Sequence, residues 1–349
     1  MENTKRRGIV LMNLGSPDST AVPDVRRYLM EFLMDGRVID KPLIFRALLV
    51  GGIIVPFRAP KSAEAYKKIW TERGSPLIFL TEDLRTELLR SISAPISIAM
   101  RYGNPTVEQA YAAMLEAGVE EVIAVPLYPH YAMSSYETAV EHARSIHRKG
   151  AYPFSLEFIK PFYREPDYID SLVESIRPYI QQKPDHILFS YHGIPERHVQ
   201  KSDPTGNHCL NRSDCCSVSS PAHATCYRHQ CFKTTELLAE ALELQPGTYS
   251  TSFQSRLGRD EWLKPYTANR LETFPGEGVK KLAVVCPAFV SDCLETIEEI
   301  GQEGRESFLH AGGEEFTLIP CLNIQPKWVQ TLSDWLGQAL EGRREMLLS

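Results

Sequence analysis

Ile187-Leu-Phe-Ser-Tyr-His192-Gly-Ile-Pro-Glu-Arg-His198 is a short apolar run that ends in hydroxyl groups and a histidine, after which Gly193 and Pro195 break regular structure. Such a run reads as a buried parallel strand, and the carboxyl ends of those strands open on the crevice where α/β sheets keep their ligands. His192 is therefore placed at a sheet edge, with an imidazole able to take a proton or bind a metal near neutral pH. A cysteine-dense segment follows, with five of the eight cysteines between Cys209 and Cys231. The two features are either one site or two.

Outward from this strand, the chain alternates strand and helix in both directions. Gly8–Gly15 reads as a buried strand ending in a turn, followed by helical periodicity from Val22 to Met34. Further strands are expected at Ile96–Met100, Glu121–Leu127 and Phe154–Phe158, then at His186–Ser190, Tyr249–Phe253, Lys281–Val285 and Glu315–Ile319, with helices between them. Alternation at this spacing predicts an α/β fold of two similar lobes, each a roughly four-stranded parallel sheet flanked by helices, with a cleft between them. The lobes are expected at 1–160 and 161–324, with a closing helix in 325–349 that packs back on them. No Gly-x-Gly-x-x-Gly or Walker-type loop occurs, so the architecture does not imply a nucleotide.

Bulk properties narrow the function. The 349 residues are 43% hydrophobic and 23% charged, ordinary for a globular protein, and the net charge of -6 gives no attraction to nucleic acid. The charged N-terminus runs into a strand and turn rather than a signal peptide, and no stretch reaches the roughly 20 apolar residues that span a bilayer. A cytoplasmic location is expected, where clustered cysteines point to metal or catalysis rather than disulfides. One segment is unusually apolar, Pro42–Phe57, and reads either as a core helix or as an exposed lip that touches a membrane or a greasy substrate.

Three further groups carry chemistry. After the strand at Lys281–Val285, Asp292 suits a helix N-cap, and Glu295, Glu299 and Glu303 lie four residues apart on one helix face. That face is either a solvated acidic stripe or a line of oxygen ligands for a divalent cation, with Glu295 nearest the chemistry. The run Ser252-Phe-Gln-Ser255-Arg256-Leu-Gly258 and its sequel to Trp262 mix hydroxyl, guanidinium and indole groups, which suits a flat anionic ligand or simply an ordered loop. Finally Cys209, Cys215, Cys216, Cys226 and Cys231, in a segment too polar to order itself by a core, have thiolates enough for zinc or an iron–sulfur cluster, without zinc-finger spacing.

Together these residues resemble the ferrochelatase family, whose members insert ferrous iron into a porphyrin in haem biosynthesis. The resemblance runs from about Gly8 to Leu340 through Asn13-Leu-Gly15-Ser-Pro17, Gly74-Ser-Pro76, Arg101-Tyr-Gly103-Asn-Pro105, Pro126-Leu-Tyr128-Pro129-His-Tyr131, Ser190-Tyr-His192-Gly-Ile-Pro195, Ser252–Gly258 and Ser291-Asp292-Cys293-Leu-Glu295-Thr296. It implies two Rossmann-like lobes with a porphyrin cleft between them. It also implies His192 and Glu295 as the catalytic pair, with Glu299 and Glu303 completing a carboxylate row to the substrate iron. The implied porphyrin contacts are Ser252, Gln254, Ser255, Arg256, Trp262, Tyr128 and Tyr131. By the same resemblance the 42–57 segment becomes a lip over the porphyrin, with a peripheral contact to the inner membrane. Cys293 departs from members that carry histidine there.

Many members pass from Asp-Pro directly to Gln-Cys, whereas here an insertion at 205–227 separates Asp203-Pro204 from Gln230-Cys231. Cys231 matches a cysteine of members without a cluster, so the inserted four, Cys209, Cys215, Cys216 and Cys226, are assigned to a 2Fe-2S cluster by similarity to a bacterial subgroup, with Cys231 as a substitute for one of the adjacent pair. The expected activity is Fe2+ insertion into a porphyrin, protoporphyrin IX, with release of two protons. The alternatives are a chelatase for another tetrapyrrole or for cobalt, and a non-catalytic iron–sulfur or haem sensor on the same scaffold. His192 and Glu295 argue for the enzyme, and iron is expected at two separate places, as substrate and as cluster.

Overall fold

The computed structural model describes residues 5–256, 258 and 260–348. Leu257 and Arg259, in and after the Ser252–Gly258 run, lie outside the described residues. Two compact units are formed. One comprises Met1–Leu127, Met133–Lys160 and Val329–Ser349; the other comprises Tyr128–Ala132 and Pro161–Trp328.

In the first unit β1 (Arg7–Ser16), β2 (Ile96–Gly103), β3 (Glu121–Pro126) and β4 (Ser155–Phe158) form a parallel sheet in the order β2-β1-β3-β4. The central strand buries Ile9 to Met12 completely, which is why it reads as an unbroken apolar run rather than an alternating one. In the second unit β5 (His186–His192), β6 (Tyr249–Gln254), β7 (Lys281–Val285) and β8 (Glu315–Leu318) repeat the arrangement, all parallel, in the order β6-β5-β7-β8. The two-lobed parallel architecture follows the strand–helix alternation, and β5 extends two residues beyond the apolar run to include His192.

The 42–57 segment, read as a core helix or an exposed lip, is the start of a longer element. Leu43–Ile69 is one continuous 27-residue helix, long and apolar enough by length and composition to cross a membrane, which corrects the expectation that no stretch is. Pro56 does not end it, because the turn before it, Val50–Ile54, is a π-turn closed by Val55 N–H on the Val50 carbonyl. The wider turn relieves the clash that the proline ring makes with the carbonyl four residues back. A core helix is excluded: Ile44, Leu48 and Phe57 are 78%, 70% and 74% exposed. The distal half differs, burying Val55, Ala59, Ala63, Tyr66 and Ile69 in its unit. Only the first half is an apolar surface.

In the second unit, the helix after β7 is held by a core of Leu188, Leu271, Phe274, Leu282, Val284, Cys286, Ile300 and Phe308. Ile300 and Phe308 belong to that helix, and burying each is worth about 1.5–3 kcal/mol, so its opposite face is presented in a fixed orientation. The helix expected to carry Glu295, Glu299 and Glu303 forms, but does not begin as an α-helix. Glu295–Gly304 is π-helical and passes into α-helix at Arg305–His310.

Candidate active site

The second sheet's strand order places a switch point between β5 and β7, whose connections leave on opposite sides of β5. His192 is the last residue of β5, half-buried and in register with Gln254 of β6. Its Nδ1 lies 2.7 Å from the Gly193 carbonyl. A carbonyl only accepts, so Nδ1 carries a proton. The His192 carbonyl accepts from the Tyr227 hydroxyl at 2.8 Å, and its ring meets Phe289 edge-on at 6.2 Å. Gly193 is needed for a close approach rather than a turn. Its N–H donates to the Gln254 carbonyl at 2.8 Å, and a Cβ there would fall 2.6 Å from that same oxygen.

On the β7 side, Asp292 does not cap the helix. Its carboxylate accepts from Thr296 Oγ1 at 2.9 Å and Asn323 Nδ2 at 2.7 Å, with Cys321 N–H beyond, and so ties the loop after β7 to the one after β8. The side chain gains more donors there than a single helix terminus offers. Cys293 is buried, and burial beside Glu295 pushes its thiol up, which keeps it neutral.

Glu295, Glu299 and Glu303 all lie on the π-helix. The i to i+5 ring makes one turn longer than an α-turn, so a four-residue spacing still returns to nearly the same face. Glu299 feels both neighbours. Burial, opposed by the Ser255 hydroxyl and amide and reinforced by the charges of Glu295 and Glu303, lifts its carboxyl to about 7. Ser255 donates from its N–H to Oε1 at 2.7 Å and from its hydroxyl to Oε2 at 2.5 Å. A carboxyl poised near neutrality between two others can exchange a proton at working pH.

Gln254 joins the two sides. Its Nε2 donates to the Glu295 carbonyl at 2.9 Å, and its Oε1 accepts from Ser190 Oγ at 2.8 Å. The residue beside His192 in the sheet therefore carries the start of the carboxylate helix. In the sequence Gln254 reads as a ligand contact; here it is 3% exposed and its amide is spent inside the unit. Ser252 is likewise fully buried, with Oγ 2.7 Å from Thr267 Oγ1. Neither presents a side chain to a porphyrin, because a polar group at a buried strand end must find its partners within the fold. Arg256 is exposed, its guanidinium 4.8 Å from the Tyr266 ring centroid. Trp262 packs near Gly193 and bridges to Pro195. Tyr128 is buried and Tyr131 half-buried, the latter held through its N–H on Gln230 Oε1 at 2.7 Å.

The cysteine insertion is a separate locality of the same unit. The Asp203 carboxylate starts it, accepting from Thr205 N–H and Oγ1 and from the N–H groups of His208 and Cys209 at 2.7–2.8 Å. The sulfurs of Cys209 and Cys216 both neighbour Cys226, and Cys216 neighbours Cys215. Donors point at them: Leu210 N–H to Cys215 at 3.4 Å, His229 N–H to Cys226 at 3.5 Å, and Arg228 Nη1 to Cys216 at 3.4 Å. His208 and His223 bond the Cys215 carbonyl and His229 that of Cys216, so the histidines brace the loop. Cys231 stands apart, buried against Tyr227. Burial pushes Cys209 up to about 11. Among the described residues no group of three or more His, Cys, Asp or Glu side chains is arranged to hold a metal ion.

Comparison with known proteins gives the chain its relatives. The family model described as Ferrochelatase matches residues 6–340. The chain is 49% identical to the ferrochelatase of Pseudomonas fluorescens strain Pf0-1 over 93% of this chain and 96% of that one. It is 50% identical to that of Ectopseudomonas mendocina over 93% and 95%, and 49% identical to that of Opitutus terrae over 94% and 96%. Among solved structures, SirB from Bacillus subtilis with Fe3+ aligns at a TM-score of 0.52 and 14% identity over 98% of this chain and 99% of that one. The sirohydrochlorin chelatase SirB from Bacillus subtilis subspecies spizizenii in complex with cobalt gives 0.54 and 11% over 99% and 100%. At these identities the likeness is one of fold.

Proposed function

The chain belongs to the ferrochelatase family, and from that premise we propose how its own residues divide the work of the reaction. The protein is an enzyme, a metal chelatase that inserts Fe2+ into a porphyrin in haem biosynthesis. Fe2+ replaces two pyrrole protons, so the site must accept two protons while it admits one dication. His192 Nε2 takes a pyrrole proton, the ring being oriented through Nδ1 by the Gly193 carbonyl. Glu295, Glu299 and Glu303 supply oxygen ligands for the incoming iron and accept protons that leave, Glu299 being poised for both. Arg256, exposed at the end of the same run, offers a guanidinium to a propionate, and protoporphyrin IX is the porphyrin assigned. The observation that carries this reading is the tie from His192's strand neighbour Gln254 to Glu295. His192→Ala tests it: a fall in Fe2+ insertion of at least about a hundredfold is expected, and near-normal rates would overturn the role. Parallel assays with protoporphyrin, coproporphyrin and sirohydrochlorin test the substrate.

A 2Fe-2S cluster on Cys209, Cys215, Cys216 and Cys226 belongs to the same proposal. The residues fit it in two respects. The buried Cys209, Cys215 and Cys226 and the half-buried Cys216 lie side by side, the thiols of Cys209 and Cys216 are pushed up by their sulfur neighbours and burial, which a bound cation would offset, and N–H and guanidinium donors are already aimed at three of the four. A binuclear centre takes two thiolates per iron, so it needs no three-ligand set for one ion. When bound, such a group supplies four Fe–S cross-links and one-electron chemistry. Cys231, packed on Tyr227, is not among the ligands.

We also assign the exposed half of the Leu43–Ile69 helix to peripheral contact with the cytoplasmic face of the inner membrane. Its distal half is anchored in the core of its unit by Ala59, Ala63 and Ile69, which favours resting on a bilayer over crossing it.

A further inference from the structure

Two consecutive residues leave the end of β6 and reach the same π-helix. Gln254 holds its backbone, through the Glu295 carbonyl at 2.9 Å. Ser255 holds a side chain, donating to both carboxyl oxygens of Glu299 at 2.7 and 2.5 Å. To do so Ser255 adopts a φ of +66°, the left-handed region that a residue with a Cβ avoids. Glycine occupies that region without strain, yet the chain carries serine, and the hydroxyl is what glycine lacks. Strain of this kind persists only where the surroundings over-determine it, and it concentrates at functional sites. The terminal torsion of a glutamate is broad, so an unheld Glu299 carboxyl would rotate freely on the π-helix. With one donor on each oxygen, its plane is set.

We propose that Ser255 is a positioning residue for Fe2+ insertion: its hydroxyl and N–H lock the Glu299 carboxyl in one plane within the Glu295–Glu299–Glu303 row. Ser255 then acts through Glu299 rather than by touching the porphyrin. This goes beyond the division of roles above and rests on the reading that the row serves the reaction. The locked carboxyl keeps one lone pair on each oxygen for a proton or for iron.

The test compares Ser255→Gly, Ser255→Asn and Glu299→Gln in the full chain, measuring kcat, KM for Fe2+, KM for porphyrin and Tm. Ser255→Gly keeps the N–H, relieves the backbone and loses the hydroxyl. It should lower kcat by roughly ten- to a hundredfold, the worth of a hydrogen bond to a charged group, with porphyrin KM unchanged and Tm equal or higher. Ser255→Asn, which tolerates the left-handed region and restores a donor, should recover at least part of the rate. A purely structural serine predicts the reverse, unchanged kcat in Ser255→Gly. That result, with Glu299→Gln slow, overturns the clamp alone. A rise confined to porphyrin KM overturns it in favour of direct contact. Normal turnover in Glu299→Gln would instead overturn the reading of the carboxylate row.

Discussion

Glu299→Gln also has a thermodynamic signature that can be worked out before any turnover is measured. Burial is the largest influence on the Glu299 carboxyl, the Ser255 hydroxyl opposes it, and Glu295 and Glu303 add repulsion; together they lift it from 4.5 to about 7. In the unfolded chain the group keeps its ordinary value. Between pH 4.5 and 7 the folded protein therefore binds more protons than the unfolded one, and stability falls as pH rises through that window. At about 1.4 kcal/mol per pH unit, carrying Glu299 ionised at pH 8 costs the fold about 3 kcal/mol. Glutamine has the same shape, still engages Ser255 and never ionises. In iron-free buffer the variant should match the parent's Tm near pH 5 and exceed it by roughly 5–10 °C at pH 8, at about 2–4 °C per kcal/mol for a unit of this size. The gain should appear gradually across pH 5–8, followed by scanning calorimetry or tryptophan fluorescence. A Tm difference that stays flat with pH, or a variant less stable at pH 8, would refute the reasoning, since either means the carboxyl is not held against its charge.

Three other outcomes follow from the geometry. Gly193→Ala puts a methyl 2.6 Å from the Gln254 backbone oxygen, so β5 and β6 must part at the site; a loss of about 1–3 kcal/mol and a matching fall in iron insertion should be seen in denaturant titration and assay, and unchanged stability would sink this account. Anaerobically purified protein should be red-brown and bleach on reduction, Cys226→Ser should lose the colour and Cys231→Ser should keep it; colourless, zinc-loaded parent protein would count against the cluster. Ile44→Asp with Leu48→Asp, at side chains 78% and 70% exposed, should weaken sedimentation with anionic vesicles at least about tenfold while leaving Tm within about 2 °C; unaltered sedimentation would remove the membrane role.

How much of this was legible beforehand depended on whether a feature was set by neighbours in the chain or by neighbours in space. The strands were legible because buried parallel strands are continuous apolar runs: Lys281–Val285 stands where the pattern places it. His192 was legible because Gly193 and Pro195 mark the exit of its strand. The π-turn at Val50–Ile54 was not, since the proline at 56 argues locally for a break that the wider turn evades. Asp292 looked like a cap because only its own helix was in view, whereas Asn323 and Cys321 arrive from the loop after β8. Gln254 and Ser252 looked like ligand contacts because polar residues at a strand end do not announce that they face inward. The one signal that distinguishes Ser255 is conformational, and a φ of +66° is invisible in a one-letter string.

The two sheets share one strand order, yet the acid–base groups gather at the end of β5 and not of β1. Both first strands leave their sheet beside a glycine in close approach to a neighbouring strand. At Gly15, with φ of +106°, a Cβ would lie 1.8 Å from the Tyr102 carbonyl, so β1 is pressed against β2. Asn13, at the end of the apolar run, spends its amide on Thr81 Oγ1 and its carbonyl on Leu14 N–H. At β5 the corresponding exit holds a half-buried imidazole whose one nitrogen is fixed by the next carbonyl, and the following strand end reaches across to a carboxylate helix. The same topology thus offers two crevices of one kind. The amide at Asn13 is spent on Thr81, while the imidazole at His192, with Gln254 and Ser255 beside it, stands with a carboxyl poised near neutrality at one switch point. Chemistry follows the side chains that remain able to exchange protons.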